Sequence, residues 1–403
     1  MKINIAIIGL GYVGLPLFCL FSRHFTCIGL DRDKARITKL RDGIDCRECE
    51  KRHNIIQALQ RSTLTSSYSD LQECNIFIVC VPTGINELNQ PDLKPLKSVC
   101  TSLGKILKKG DMVIFESTVF PGATEDICIP LLEKYSSMKI NDGFMVGYSP
   151  ERINVGDKNH RIAAIPKIIS ASNADSLSLI FEIYSTVLDA PVIKASCIKV
   201  AEAAKMYENV QRDVLIGLAN EYADFCKSEG INISEVTECA SSKWNFVNIN
   251  PGLVGGHCIG VDTYYLLQRA KTRNQPMNLV ESARSINEAE SSKVANRIKK
   301  LAQSIDAKRI LLLGFSYKAD TPDCRNTKVA EIFNELKSYF PIVDCFDPLV
   351  NKKEISNNYS LNIFTSKEDL TTEYDLVVKM VNHKVFRKIV FDKSKIAELN
   401  DFL

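Results

Sequence analysis

An excess of charge of either sign is missing: 51 lysines and arginines stand against 48 acidic residues, a net of +3 over 403 residues. So small a surplus makes no field for holding nucleic acid or an anionic membrane surface. Tandem repeats and low-complexity tracts are missing too, so the chain is no repeat array. Cysteine, at fourteen residues, is too sparse for a small disulfide scaffold, and its scatter fits reduced thiols in a cytosolic protein. Long apolar runs are missing with one apparent exception. Residues 3–22 carry no charged side chain and follow Lys2, which mimics a secretory leader. Gly9, Gly11, Gly14 and Pro16 break that run, and Arg23 and His24 follow it in place of a small-residue cleavage site. No other stretch approaches the ~20 apolar residues that span a bilayer. What remains is ordinary: 45% apolar and 25% charged residues exclude wholesale disorder, and the length suits roughly two or three domains of ~150 residues.

The first half alternates short β-branched runs with amphipathic stretches. Strands are expected at residues 5–8, 27–30, 76–81, 112–115 and 144–148, with helices from the Gly-rich turn to about residue 23 and from residue 34 to 41. Strands separated by helices argue a parallel sheet covered on both faces. Residues 196–226 then read as one unbroken helix stopped by Gly230. At ~1.5 Å per residue it is about 45 Å long, too long for a crossover in a compact sheet. A second long helix is expected over 279–305. Strand–helix alternation resumes at 309–313, 328–336, 342–346 and 375–381. The expectation is an α/β protein with two doubly wound parallel-sheet domains, 1–195 and 305–403, bridged by a helical domain over 196–304.

The segment Gly9-Leu10-Gly11-Tyr12-Val13-Gly14 follows the first strand and opens a helix. The first glycine permits the tight turn, the second lets backbone approach a pyrophosphate, and the third lets helix and strand pack closely. The helix N-terminus then offers unpaired N–H groups to phosphates. Asp31 ends the second strand about twenty residues on, where its carboxylate accepts from a ribose diol and repels a 2′-phosphate. NAD is therefore favoured over NADP, a preference that Arg32 and Arg36 would soften. The alternative is a turn closing a flavodoxin-like unit.

A second glycine-rich loop, GLVGGHCIGVD at 252–262, carries one cysteine, Cys258, with Asp262 four residues on. A thiol of ordinary pKa ~8.5 is only a few per cent thiolate at neutral pH, so a nucleophilic role calls for a nearby cation. Lys205 and Asn209, one turn apart on the long helix, are candidates to polarise an oxygen or stabilise an oxyanion; the alternative is a solvated helix face. His257 beside Cys258 suggests a dyad, although adjacent side chains usually diverge. Cys46-Arg-Glu-Cys49 with His53 invites a metal, but zinc needs four ligands and no second C-x-x-C pair exists. No metal is expected.

An ordered series of motifs is similar to one family over nearly the whole chain: GLGYVGLP at 9–16, VPT at 81–83, ESTV at 116–119, SPERIN at 149–154, EAAK at 202–205, the cysteine loop, and RNT at 325–327. It resembles the nucleotide-sugar 6-dehydrogenases of the UDP-glucose/GDP-mannose dehydrogenase superfamily. SPERIN together with ENVQRD at 208–213 is most similar to the branch that oxidises UDP-N-acetylhexosamines (UDP-GlcNAc or UDP-GalNAc) for capsule, Vi-like or O-antigen polysaccharides. The resemblance implies two successive hydride transfers from C6 of the sugar to NAD. Cys258 would capture the aldehyde as a thiohemiacetal, and the second oxidation would give a thioester that water hydrolyses. Lys205 and Asn209 would stabilise the C6 oxygen, Asp262 and Thr118 would position or activate water, and Glu151 would act as base. For the cofactor the resemblance implies Gly9, Gly11, Tyr12, Val13, Gly14, Asp31, Arg36, Thr83, Ser117, Thr118 and Arg325. For the UDP-sugar it implies Glu151, Arg152, Ile153, Asn154, Lys205, Asn209, Arg212, Gly252, Gly255, Tyr317 and Lys318. A homodimer through the bridging helix is also implied, with Lys243 or Trp244 entering the neighbour's site, and neither nucleic acid nor membrane as partner.

The chain departs from the family where Pro is common and it has Gly84, Val155 and Thr263, changes expected to loosen or reshape loops. Lys379 interrupts an apolar strand, which suggests an edge position or a local change. The chain stops at Leu403, where relatives commonly add a further strand or so, so the C-terminal sheet is expected to be incomplete. Two other readings stay open: oxidation of another nucleotide sugar, chiefly UDP-glucose, and a degenerate homologue that binds nucleotide sugar and NAD without turnover.

Overall fold

The computed structural model describes residues 2–153, 161–370, 373–389 and 396–403. In chain order the strands are β1 (Asn4–Ile8), β2 (Thr26–Leu30), β3 (Thr63–Thr65), β4 (Ile76–Val79), β5 (Gly84–Ile85), β6 (Pro91–Asp92), β7 (Asp111–Phe115), β8 (Phe144–Tyr148), β9 (Lys167–Ala171), β10 (Val192–Lys194), β11 (Arg309–Leu313), β12 (Ile342–Phe346), β13 (Leu376–Lys379) and β14 (Ile396–Glu398). The helices are α1 (Gly14–Phe21), α2 (Lys34–Arg41), α3 (Arg52–Leu59), α4 (Lys94–Gly104), α5 (Ile129–Ser136), α6 (Ala174–Val187), α7 (Ile198–Ser228), α8 (Ile233–Ser241), α9 (Ile259–Thr272), α10 (Asn278–Ser304), α11 (Val329–Lys337) and α12 (Lys352–Tyr359). The chain forms two compact units: residues 1–208 with 264–273, and residues 209–263 with 274–403. Of the three boundaries, two fall inside helices, α7 and α9, and the third between α9 and α10.

The first unit is built on an eight-stranded sheet in the order β10-β9-β8-β7-β4-β1-β2-β3. All neighbours from β3 to β8 run parallel, whereas β9 meets β8 antiparallel. Central strands such as IFIV in β4 and DMVIF in β7 are buried along their whole length, as a sheet covered on both faces requires. The strand order reverses at β1, between β2 and β4, and such a switch point opens a crevice beyond the carboxyl ends of the strands. The Gly-rich loop leaves β1 at that end.

The second unit holds a parallel four-stranded sheet, β12-β11-β13-β14. Its alternate side chains feed opposite cores: Ile310, Leu312 and Val378 go to one cluster and Leu311, Leu313 and Val377 to the other. This alternation is the two-residue period of a strand. With the long α7 and α10, the chain adopts the expected α/β architecture of two sheets and central helices, the second sheet wholly parallel and the first parallel except where β9 meets β8. Gly230 ends the α7 region at φ +72°, a left-handed turn that glycine takes without a Cβ penalty.

One expectation changes. β13 is not an edge strand but lies between β11 and β14. Lys379 occupies its last position and donates to Glu398 on β14 at 3.0 Å, so the charge leaves the sheet at a strand end without interrupting the core. Among the described residues no helix is long and apolar enough to cross a membrane.

Candidate active site

The phosphate loop is tightly constrained. Gly9 has φ +92°, and a Cβ there would lie 2.9 Å from the Cys80 carbonyl oxygen; a Cβ on Gly14 would lie 1.9 Å from the Gly9 oxygen. Glycine is thus required at the turn and at the helix–strand contact. Val13, the N-cap of α1, supplies no side-chain acceptor. In the first turn Leu15 gives its N–H to the Gly11 oxygen at 3.2 Å and Pro16 has none, so an anion would be met by the positive end of the helix dipole rather than by a full set of first-turn donors. Asp31 takes the Leu10 N–H at 3.0 Å and the Asp33 N–H at 3.0 Å, so its carboxylate is pinned to the loop from the tip of β2. Arg36 is buried: Nε donates to the Leu10 oxygen at 2.6 Å and Nη2 lies 3.1 Å from Asp45. It braces the loop from behind. Thr83 is buried beyond β4, and Ser117 donates to the Val81 oxygen at 2.7 Å, which joins the segments after β4 and β7. Tyr12 and Thr118 are half-buried. A strand–glycine loop–helix with an acidic group at the next strand tip fits a dinucleotide.

The C-x-x-C segment is organised by a carboxylate. Asp45 accepts N–H bonds from Arg47, Cys49 and Glu50 at 3.1, 2.7 and 3.2 Å, an Asx-type turn. Among the described residues no group of three or more His, Cys, Asp or Glu side chains is placed to hold a metal ion.

Still in the first unit, Lys205 is buried and its ammonium donates to the Glu151 carbonyl at 2.6 Å. A solvated helix face is thereby excluded for Lys205. The Glu151 carboxylate is held by Lys167, at 2.5 Å, and Lys167 also reaches Glu116 at 2.7 Å. Tyr184 donates its hydroxyl to Glu116. Burial alone would pull the Lys167 ammonium down, but the two carboxylates overcome it and hold Lys167 above its usual range; burial pushes Glu116 up against the pull of Lys167. Glu202, from EAAK, accepts the N–H groups of Gly122 and Thr124 at 2.5 and 2.9 Å. Burial raises its carboxyl to about 7 in spite of those bonds. Arg152 and Ile153 are half-buried, with Arg152 Nε 3.6 Å from Glu208. Asn154 and Val155 lie outside the described residues.

In the second unit Cys258 is exposed and stands immediately before α9. Its carbonyl accepts the N–H of Asp262 at 2.9 Å, closing the first turn. Residues 252–258 are loop, as expected, and the helix begins only at Ile259; a thiol at a helix start is favoured to ionise. Asp262 is buried, and Asn209, fully buried, donates to its carboxylate. His257 supplies no cation, because burial and then the Arg325 guanidinium lower its pKa to about 4. Tyr317 stacks on the same loop: a Cβ on Gly256 would lie 2.9 Å from its ring, and one on Gly255 2.8 Å from the Asn326 oxygen. Burial pushes the Tyr317 hydroxyl up to about 12. The Lys318 carbonyl accepts from Ser316 at 2.8 Å, and Arg325 forms a fork with Asp323, Nη2 to Oδ2 at 2.5 Å. Gly252 is clasped by Asn220. Arg212 is exposed, leaving α7 on a different side from its buried neighbour Asp213.

Glu116, Lys167 and Tyr184 escaped the sequence reading. Lys167 opens β9, where a lysine looks like a surface residue, and its partners are 16 and 51 residues away.

Residues 3–188, 199–289 and 311–400 match, in order, the NAD binding, central and UDP binding domains of the UDP-glucose/GDP-mannose dehydrogenase family. The chain belongs to this family and is an NAD-dependent dehydrogenase with a UDP binding domain. It is 43% identical over 391 residues to UDP-N-acetyl-D-glucosamine 6-dehydrogenase of Pseudomonas aeruginosa, covering 96% of this chain and 92% of that one. Identity to UDP-N-acetyl-D-glucosamine 6-dehydrogenase of Salmonella typhi is 41% over 392 residues, covering 96% and 92%. The solved structure of UDP-D-ManNAc dehydrogenase from Pyrococcus horikoshii superposes with a TM-score of 0.88 at 28% identity, covering 98% of this chain and 94% of that one.

Proposed function

We propose that the chain oxidises the C6 hydroxyl of a UDP-N-acetylhexosamine, UDP-GlcNAc or UDP-GalNAc, to the carboxylate, for capsule, Vi-like or O-antigen polysaccharide synthesis. The observation that carries the chemistry is Cys258 at the start of α9 with Asp262 one turn on, held by Asn209. The names of two relatives above 40% identity support the sugar. The Gly9–Gly14 loop and Asp31 would hold NAD, which would supply the hydride acceptor for each of the two oxidations.

In this reading Lys205 and Asn209 stabilise negative charge on the C6 oxygen, and Lys205 takes part in moving the hydroxyl proton. The Cys258 thiolate adds to the aldehyde carbon, the carbonyl electrons go to oxygen, and that oxygen takes a proton. Loss of that proton with the second hydride leaves a thioester. Water then adds to the thioester carbon, the C–S bond breaks, and Cys258 departs as thiolate. Glu151 accepts the proton of that water, and Thr118 and Asp262 orient it. Covalent capture keeps the aldehyde from hydrating and escaping. Residues 1–195 would bind NAD, 196–304 form the central domain and 305–403 bind the UDP-sugar through Tyr317 and Lys318.

A homodimer belongs to the same proposal. Leu218, Tyr222 and Phe225 are exposed on α7 at i, i+4 and i+7, an apolar stripe on one helix face, and Trp244 is 97% exposed. Buried, unpaired thiols such as Cys27, Cys74 and Cys345 support a reducing, cytoplasmic setting.

With limiting sugar, the expected yield is two NADH per UDP-GlcNAc or UDP-GalNAc, read at 340 nm. Two NADH from UDP-glucose alone would transfer the mechanism to that sugar; none from any of the three would leave a binding protein. Asp31→Asn is expected to raise the NAD dissociation constant about 10- to 150-fold, the value of one hydrogen bond to a charged acceptor. Titration calorimetry giving unchanged affinity would place the ribose elsewhere.

A further inference from the structure

The nucleophile's loop is tied at one end to Asn220 and at the other to Asp213, and a single carboxamide, that of Asn287, joins the two. At its start, Asn220 Oδ1 accepts the Gly252 N–H at 2.8 Å and Asn220 Nδ2 donates to the Gly252 oxygen at 3.1 Å. At its end, Thr263 donates its hydroxyl to Asp213 Oδ2 at 2.8 Å. Asn287, on α10, joins the two clasps. Its Oδ1 accepts from Asn220 Nδ2 at 2.9 Å, and its Nδ2 donates to Asp213 Oδ1 and to the Asp213 carbonyl, each at 2.8 Å. Arg284 Nη1 completes the Asp213 shell at 2.6 Å.

The side chains are buried throughout: Asn287, Asp213 and Thr263 are 0% exposed, Asn220 and Arg284 2%. Each buried polar group that lost its partner would carry a desolvation penalty, so the network holds as a unit or loosens as one. Thr263, where the family often has Pro, is therefore not a loose point but the anchor of the α9 first turn.

We propose that Asn287 is a positioning residue for the nucleophile: by bridging Asn220 and Asp213 it fixes the separation of the loop's two ends and so the place of the Cys258 sulfur. This rests on reading Cys258 as the nucleophile. Displacing a reacting atom by about 1 Å costs up to ~10²-fold in rate, so a side chain that touches neither cofactor nor sugar acts on turnover through geometry alone.

The test is Asn287→Ala in the full-length protein. The expected results are a kcat lower by about 10- to 100-fold, a KM for NAD within about twofold, and slower alkylation of Cys258 by iodoacetamide. The alkylation is followed by mass spectrometry of the Cys258 peptide from pH 6 to 9, where its midpoint should move upward. A role in folding alone would lower thermal stability and leave that pH profile in place, and so would overturn the proposal. Asn287→Asp sets a second carboxylate against Asp213 and should be at least as slow. Adding Asp213→Asn exchanges donor and acceptor across that contact and should restore part of kcat. If Asn287→Ala does not fold, Thr263→Val removes only the hydroxyl at the loop's end and should lower kcat about 3- to 10-fold, roughly the value of one hydrogen bond. Wild-type kcat and alkylation in the variant that folds, with Cys258→Ser inactive, sinks the clamp and spares the nucleophile. Full activity in Cys258→Ser sinks both.

Discussion

Cys258→Ser is expected to lower uronic acid formation by at least about 10³-fold while NAD and UDP-sugar affinities stay within a few-fold. A hydroxyl ionises far less readily than a thiol and leaves far less readily from an acyl carbon, so both capture and release suffer. The position sharpens the contrast. Cys258 precedes α9, and Asp262 bonds its carbonyl at 2.9 Å; the substitution therefore keeps the first turn and the backbone dipole, and changes only the reacting atom. Any sugar that escapes after the first oxidation should appear as the aldehyde hydrate with one NADH. Product analysis by mass spectrometry with NADH counted at 340 nm reads both quantities. Wild-type yields of carboxylate at two NADH per sugar would remove the covalent path and point to direct oxidation of the hydrate.

The second large effect is on stability. Lys167→Met should destabilise the first unit by about 3–5 kcal/mol, the usual cost of stripping one partner from a buried ion pair. The Lys167, Glu116 and Glu151 side chains are 2%, 0% and 5% exposed, so little solvent is present to take over from the ammonium. A carboxylate left alone there has a folded-state pKa raised above its unfolded value. The stability such a group offers is complete below the unfolded value, about 4.3, and is lost as pH rises through the folded one. The deficit of Lys167→Met should accordingly be largest near pH 8 and shrink toward pH 5. Adding Glu116→Gln should recover part of it at pH 8. Urea midpoints across that range settle the point; a deficit independent of pH, or one below about 1 kcal/mol, would mean that the cluster is not a charged trio.

The sheets were largely legible. β8 and β11 coincide with the apolar runs at 144–148 and 309–313, because a strand buried on both faces has no reason to alternate; β12, at the sheet edge, coincides with 342–346 through its alternating IVDCF. α7 and α10 began and ended within two residues of the expected limits, since a glycine stop and a long period of 3.6 are local signals. What escaped was non-local. α9 starts inside a stretch whose glycines read as loop, and only its packing makes it helix. Asp213 and Asn287 lie 74 residues apart and each looks, on its own helix, like part of a solvated face. Lys205 and Asn209 had that same alternative, and burial decides against it for both. β9 and β10, the latter half-exposed, offered no apolar run to find.

The trio of Glu116, Lys167 and Glu151 also constrains how this sequence can drift. With two carboxylates on one ammonium, the lysine cannot be exchanged for a neutral residue without stranding charge inside the sheet's end, whereas loss of one glutamate leaves a balanced pair. The three positions are therefore expected to change together across lineages, loss of the lysine accompanied or preceded by loss of a glutamate. The SPE and EST motifs, whose glutamates stand 35 residues apart along the chain, would then carry a shared history that neither reveals alone.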